Sequence, residues 1–227
     1  MAFPIWVIIT LKSKMMRKSK EISKPQNSVY SFVVDGKCEL WYLQLLKQHE
    51  KLNAKNINLE PKLPQKKKLE DQFNLAVKLS EESEKVFWVV DFDTILKETR
   101  EAKKGSKTSL QEFQELHNKC DKNNNNIIVI INNPCLEYWF LQHFEQTSRY
   151  YETYSKIEKP LKKHLPDYEK TEKYYKNSRQ NIYQKLKPHL PVAISNAEKL
   201  KEFNFENAST GTTYTYKIFN ELNIKSK

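Results

Sequence analysis

Residues 85–93 read Lys-Val-Phe-Trp-Val-Val-Asp-Phe-Asp, a row of apolar side chains that stops at two aspartates. A continuous apolar run of this length is typical of a strand that is covered on both faces of a parallel sheet. Residues 28–34 and 127–131 form two further runs of the same kind, and each is followed by polar residues. Three buried strands that are widely separated in sequence predict a sheet with parallel connections.

The segments between these runs predict helices, because their apolar residues recur at spacings of three and four. The predicted helices lie near residues 39–52, 67–82 and 108–120, with a further helix after Pro134 and a shorter strand at 56–59. Strands and helices therefore alternate along the chain. This order predicts an α/β fold with a mostly parallel sheet flanked by helices.

Composition divides the chain into three parts. Residues 1–27 form a basic segment, 28–145 the α/β domain, and 146–227 a Tyr- and Lys-rich stretch that we expect to be a helical C-terminal extension packed on the core. Met15 and Met16 introduce part of the basic run, and we expect translation to begin there. A length of 227 residues suits one sizeable domain with such an extension.

The net charge of +11 favours a polyanionic partner, with nucleic acid, RNA or DNA, as the first expectation. The alternative is that the lysines only keep the protein soluble. Three scattered cysteines indicate neither a disulfide framework nor a zinc site, so we expect a reducing cytoplasm. The apolar opening, residues 2–11, is about half the length that a membrane span needs, so we expect no membrane partner. With three glycines and no P-loop, an intrinsic ATPase is not indicated.

Acidic residues follow the predicted strands at the edge where ligands gather in open parallel sheets. Asp35 follows the first strand, Asp91 and Asp93 follow the third, and Glu39 and Glu137 begin the helices after the first and last strands. Alternation along an extended strand end would put Asp91 and Asp93 on the same side. We therefore expect these five carboxylates to converge on one cleft as the catalytic residues.

Converging carboxylates repel one another, so their convergence predicts a hard divalent cation, Mg²⁺ or Mn²⁺. Asp35, Glu39, Asp91 and Asp93 are the predicted metal ligands, and Glu137 either completes the shell or relays protons. The alternative is that the aspartates are ordinary turn and helix-cap residues. Glu137 is equally well explained as an acid stabilised by the helix dipole.

Three blocks of the sequence resemble the RloB-like family. Phe32-Val33-Val34-Asp35-Gly36-Lys37-Cys38-Glu39-Leu40-Trp41-Tyr42 resembles its strand, E-G and T-E-x-x-Y-F, and Val89-Val90-Asp91-Phe92-Asp93 resembles its D-x-D. The third block is similar to the family's motif S-N-P-x-F-E-x-W-x-L-x-H-F, and it reads Asn132-Asn133-Pro134-Cys135-Leu136-Glu137-Tyr138-Trp139-Phe140-Leu141-Gln142-His143-Phe144. The stretch from Ser209 to Leu222 is similar to the family's closing serine/threonine turn and helix.

This resemblance implies a Toprim domain, the fold shared by type IIA topoisomerases, bacterial primases and the overcoming-lysogenization-defect nucleases. It also implies cleavage of nucleic acid in phage-defence or restriction-associated loci, with other proteins of those loci as possible partners. Asp35 stands where the family has Glu, and Cys38 where it has Thr. A shorter first acid leaves a second interpretation open, a catalytically weak nucleic-acid-binding or scaffold subunit. A hydrolase or phosphotransferase of small nucleotides is a third.

Other polar and aromatic residues have two interpretations each. His143 could assist phosphate chemistry, although its aromatic neighbours in sequence favour a packing role. Asn133 could contact a phosphate, although a turn is the simpler role. The tyrosines between Tyr150 and Tyr183 could stack on unpaired bases or belong to the core of the extension, and periodicity does not separate these.

Overall fold

The computed structural model describes residues 28–34, 36–52, 57–62, 68–123 and 126–224. The basic segment 1–27, with its expected start of translation, lies outside these described residues, and so does Asp35. The other four predicted site residues are described.

Four parallel strands and one short antiparallel strand form a single sheet in the order β2-β1-β3-β4-β5. The strands are β1 Ser28–Val33, β2 Ile57–Lys62, β3 Lys85–Asp91, β4 Ile127–Asn133 and β5 Thr212–Thr213. β2 contains Pro61, which is tolerated because an edge strand does not need every backbone N–H for pairing.

Ten α-helices surround this sheet within the described part of the chain. They are α1 Lys37–His49, α2 Leu69–Ser80, α3 Phe92–Glu101, α4 Ser109–Asn123, α5 Leu136–Gln142, α6 Tyr154–Lys162, α7 Glu172–Tyr175, α8 Ile182–Leu186, α9 Leu190–Glu198 and α10 Tyr216–Glu221. The predicted α/β fold, with its mostly parallel sheet and a helical C-terminal extension, is confirmed, and it is consistent with a Toprim-like fold.

The core has two layers, because successive side chains of a strand point to opposite faces of the sheet. Phe87 and Val89 of β3 belong to the layer covered by α1, α5 and the C-terminal extension. Trp88 and Val90 belong to the layer covered by α2, α3 and α4. Burial on both faces explains why β3 is apolar from Val86 to Val90 and β4 from Ile127 to Ile131.

Two elements differ from the sequence prediction. The segment after β3 was expected to leave the strand in an extended conformation, but α3 begins at Phe92, directly after Asp91. The extension was expected to be helical, but it also supplies β5 to the sheet beside β4. Within the described residues, no helix combines the length and apolar character needed to cross a membrane.

Candidate active site

The end of β3 and the turn after β4 are joined by backbone hydrogen bonds. The N–H groups of Phe92 and Asp93 both donate to the carbonyl oxygen of Pro134, over 2.8 and 3.0 Å. Asp91 lies opposite Asn132 in the parallel register of the two strands. This contact fixes the position of both aspartates relative to α5, which carries Glu137.

Strand alternation predicts that Asp91 and Asp93 lie along one extended strand end. This prediction is wrong, because β3 ends at Asp91 and Asp93 belongs to α3. Asp91 is the N-cap residue of α3, although its side chain does not cap the helix, and Asp93 lies in the first helical turn. α3 starts here because Phe92 and Ile95 place an apolar stripe against the sheet. The two carboxyl groups therefore stay near one edge by helical geometry rather than by strand alternation.

Glu137 is fully buried, and two residues of the C-terminal extension contact its carboxylate. The hydroxyl of Tyr168 donates to Oε1 over 2.6 Å, and Nζ of Lys170 lies 3.0 Å from Oε2. The hydroxyls of Tyr168 and Tyr175 are 2.7 Å apart. A buried carboxylate requires such partners, because an uncompensated charge away from water is costly.

Lys170 is a cation at the acidic edge, the group of carboxylates formed by Asp91, Asp93 and Glu137. Its Nζ also lies 3.9 Å from the centre of the Tyr154 ring. Burial lowers the pKa of Lys170, but the charges of Glu137 and Asp91 raise it, and the net direction is upward. The ammonium group is therefore held in its charged form.

Burial raises the pKa of Asp93, and the positive charge of Lys170 opposes this rise. The carboxylate of Asp93 is thus partly withdrawn from water and close enough to Lys170 and Glu137 to feel both charges. A cation at this edge would stabilise its ionised form.

Glu39 is buried at the start of α1, and its carboxylate turns back over Gly36. A Cβ added to Gly36 would lie 2.7 Å from Oε2 of Glu39, so only glycine leaves room for this arrangement. Burial, followed by the charges of Glu39 and Glu137, raises the pKa of Cys38 to about 12. The Cys38 thiol is therefore neutral and lies where it feels both glutamates.

A cleft of about 530 Å³ opens beside Asp91. Its other lining residues include Lys68 of the segment before α2, Thr94 and Glu98 of α3, and Ser109 of α4. The cleft lies on the side of the sheet that α2, α3 and α4 cover. Within the described ranges, however, no three His, Cys, Asp or Glu side chains already form a metal-ligand set.

A family model described as RloB-like protein matches residues 30–222. The chain belongs to the RloB-like family. The matched range contains every carboxylate of the site and also Tyr168 and Lys170, so the RloB-like region includes the extension. No curated protein and no solved structure gives a match to the chain.

Two polar residues of the RloB-like protein have structural roles. Nδ2 of Asn133 donates to the carbonyl oxygens of Ala208 and Thr210, over 2.7 and 2.8 Å, and so attaches the extension to β4. His143 is buried, its Nδ1 lies 3.0 Å from the Trp139 carbonyl oxygen, and burial lowers its pKa to about 3. A neutral, enclosed imidazole agrees with the packing interpretation.

The tyrosines of the extension mostly belong to the core of the RloB-like protein. Tyr151, Tyr168, Tyr174, Tyr175 and Tyr183 are buried. Base stacking on these five rings would require the extension to open. The sequence does not identify Tyr168 and Lys170 as site residues. Lys170 is one of 39 Lys and Arg residues, and nothing in its position along the chain distinguishes it from the others.

Proposed function

We propose that this RloB-like protein cleaves phosphodiester bonds of nucleic acid in phage defence, with a divalent metal ion as cofactor. The observation that carries the proposal is the gathering of Asp91, Asp93, Glu137 and Lys170 at the carboxyl edge of the sheet, with Glu39 nearby. Net charge of +11 supports a polyanionic substrate. Other proteins of a defence locus are the proposed partners.

Mg²⁺ or Mn²⁺ fits the residues that are present. Magnesium is often bound through only one or two carboxylates, with water and substrate phosphate as the remaining ligands, so a complete protein cage is not required. Asp91 and Asp93 would hold the ion, with Glu39 and Asp35 as further ligands. Such an ion would supply charge neutralisation and an activated water.

The chain's own residues would complete the chemistry. Glu137 is fixed by Tyr168 and Lys170, so its part is to position the lysine and the start of α5 rather than to move freely. Lys170 would offset the negative charge of an approaching phosphate, because its ammonium group stays protonated. The cleft beside Asp91 would admit the scissile bond.

One observation favours a second candidate, a nucleic-acid-binding subunit with weak or no catalysis. Glu137 already has a hydroxyl and an ammonium partner, and the described residues contain no ready metal-ligand set. In that case the acidic edge would be a structural ion-pair network, and the basic surface would carry the function.

The test compares cleavage of plasmid, single-stranded DNA and tRNA with Mg²⁺, with Mn²⁺ and with EDTA. The variant Asp91→Asn/Asp93→Asn keeps side-chain size and removes both charges. Its matched control is Glu81→Gln/Glu82→Gln, an exposed pair before β3, at the opposite edge of the sheet. We expect EDTA and the aspartate pair to reduce cleavage at least 100-fold, and the control to leave it unchanged. Binding without metal-dependent cleavage would support the second candidate.

A further inference from the structure

The open face of α1 carries a stripe of exposed and half-buried residues. Lys37, Gln44 and Gln48 are exposed and Trp41 is half-buried. Their spacings of four, three and four residues place them on one helix face, because side chains three and four apart are neighbours. The stripe starts two residues before Glu39 and runs for about 16 Å along the helix.

A groove of about 440 Å³ lies beside the far end of this stripe, between α1 and the segment that joins α7 to α8. Its walls are rich in amides and a hydroxyl, from Gln44, Gln48, Asn177, Ser178 and Gln184. Among the described residues that line it there is no carboxylate. In this it differs from the cleft beside Asp91, which three glutamates also line.

The hydrogen-bond direction at the floor of the groove is fixed. Oδ1 of Asn181 accepts from the Gln184 N–H over 3.0 Å, so the Asn181 amide group must donate to Nε2 of His49, 2.8 Å away. His49 is therefore neutral, and burial, with the charge of Lys187, lowers its pKa accordingly. A neutral floor suits an uncharged ligand group better than a phosphate.

The rim of the groove is basic. Lys176 lines it and is exposed, with an ion pair to Glu172 at 2.7 Å. The exposed Lys51 and Arg179 adjoin lining residues, because their backbone N–H groups donate to the Gln48 carbonyl oxygen and to Oδ1 of Asn177, over 3.4 and 2.9 Å. Amide groups both donate and accept hydrogen bonds, as the edges of nucleobases do, while lysine and arginine neutralise phosphates. Trp41, which packs against Tyr175 at 5.6 Å between ring centres, offers a ring on which a base can stack.

We infer that the Lys37–Trp41–Gln44–Gln48 stripe and the amide-lined groove bind a single strand of RNA or DNA that leads to the carboxylate edge. At about 3.4 Å per stacked nucleotide, 16 Å accommodates about five nucleotides. Bases would meet Trp41 and the amides, and the backbone would meet the basic rim. A duplex hides the Watson–Crick edges and the faces of its bases from such a surface. This inference rests on the proposed function in taking nucleic acid as the partner.

The test measures binding apart from cleavage, by fluorescence anisotropy in EDTA. The probes are fluorescein-labelled 12-nucleotide RNA and DNA strands of mixed sequence, the matching 12-base-pair duplexes, and a labelled 12-residue polyglutamate peptide. Gln44→Glu/Gln48→Glu adds two charges to the stripe. Gln114→Glu/Asn118→Asp is the matched control, because it adds two charges at the same spacing on an exposed part of α4, which covers the opposite face of the sheet.

We expect the stripe pair to weaken single-strand binding at least about tenfold and the control to change it less than about twofold. Trp41→Ala should weaken binding at least about fivefold, whereas Trp41→Phe should retain most of it. Equal losses in the two charge pairs, equal affinity for duplex, or equal affinity for polyglutamate would overturn the inference. Preference for RNA or for DNA would identify the strand, and either supports it.

Failure of this inference can be told from failure of the proposed cleavage. If the Gln44→Glu/Gln48→Glu variant binds single strands as tightly as the original protein while cleavage depends on Asp91 and Asp93, the inference is wrong and the proposed activity stands. If the stripe binds single strands as expected but cleavage does not depend on these aspartates, the proposed activity is wrong and the inference stands.

Discussion

Replacing Lys170 with methionine should expose the energetic cost of the buried Glu137 carboxylate. Glu137 is fully buried, whereas the Lys170 side chain is 35% exposed. Removing one partner of a fully buried pair costs about 3–5 kcal/mol, whereas an exposed pair contributes about 0–1 kcal/mol. The half-exposed lysine lies between these limits, so we expect a loss of about 2 kcal/mol, or about 30-fold in the folding equilibrium.

Part of that loss comes from the contact between Lys170 and the Tyr154 ring, for which about 0.5–1 kcal/mol is typical. A double-mutant cycle separates the two contributions. In Glu137→Gln/Lys170→Met no buried charge is left, so the double variant should be less destabilised than the sum of the single changes. The measurement is urea unfolding followed by circular dichroism at pH 7, with the exposed Lys173→Met as control.

If Lys170→Met and Lys173→Met unfold within about 0.5 kcal/mol of each other at pH 7, the buried-pair argument is refuted.

Two further predictions concern single residues. Gly36→Ala should lower nucleic-acid cleavage about 10- to 100-fold, because the new Cβ would displace the Glu39 carboxylate. The urea midpoint of unfolding should stay near that of the original protein. Unchanged cleavage would mean that Glu39 has no part in the reaction. His143 should make stability fall in acid, because the unfolded state takes up a proton below about pH 6.5 and the folded state only near pH 3. The loss should reach about 2 kcal/mol at pH 5, and His143→Met should show a smaller fall between pH 7 and 5.

Much of the fold could be predicted from three apolar runs. β1, β3 and β4 appear where continuous apolar residues occur, because strands buried on both faces leave a strong local signal. α3 was missed, since aspartates after a strand are also turn residues and the helix has only two buried apolar side chains, Phe92 and Ile95. β5 was missed because a two-residue strand has no periodicity to detect.

Only the part of the site that depends on local sequence signals could be predicted. Asp91, Asp93, Glu39 and Glu137 could be proposed from sequence, because they stand at strand ends and helix starts that topology brings to one edge. Tyr168 and Lys170 could not, because their contacts with Glu137 join positions 31 and 33 residues apart across an irregular segment. Only the packing of the extension shows which of its many lysines enters the acidic edge.

The extension is therefore part of the acidic edge and not only a cover for the sheet. It supplies the hydroxyl and the ammonium group that Glu137 needs, and Thr213 and Thr215 both donate hydrogen bonds to Oδ1 of buried Asn132, over 2.7 and 2.9 Å. It also covers the core layer that contains Phe87 and Val89. Removing it would take away both partners of Glu137 and leave an apolar sheet face in water, and the exposed face alone costs several kcal/mol. The acidic edge can keep its geometry only while the extension remains docked, so any segment that loosens the extension would also control the site.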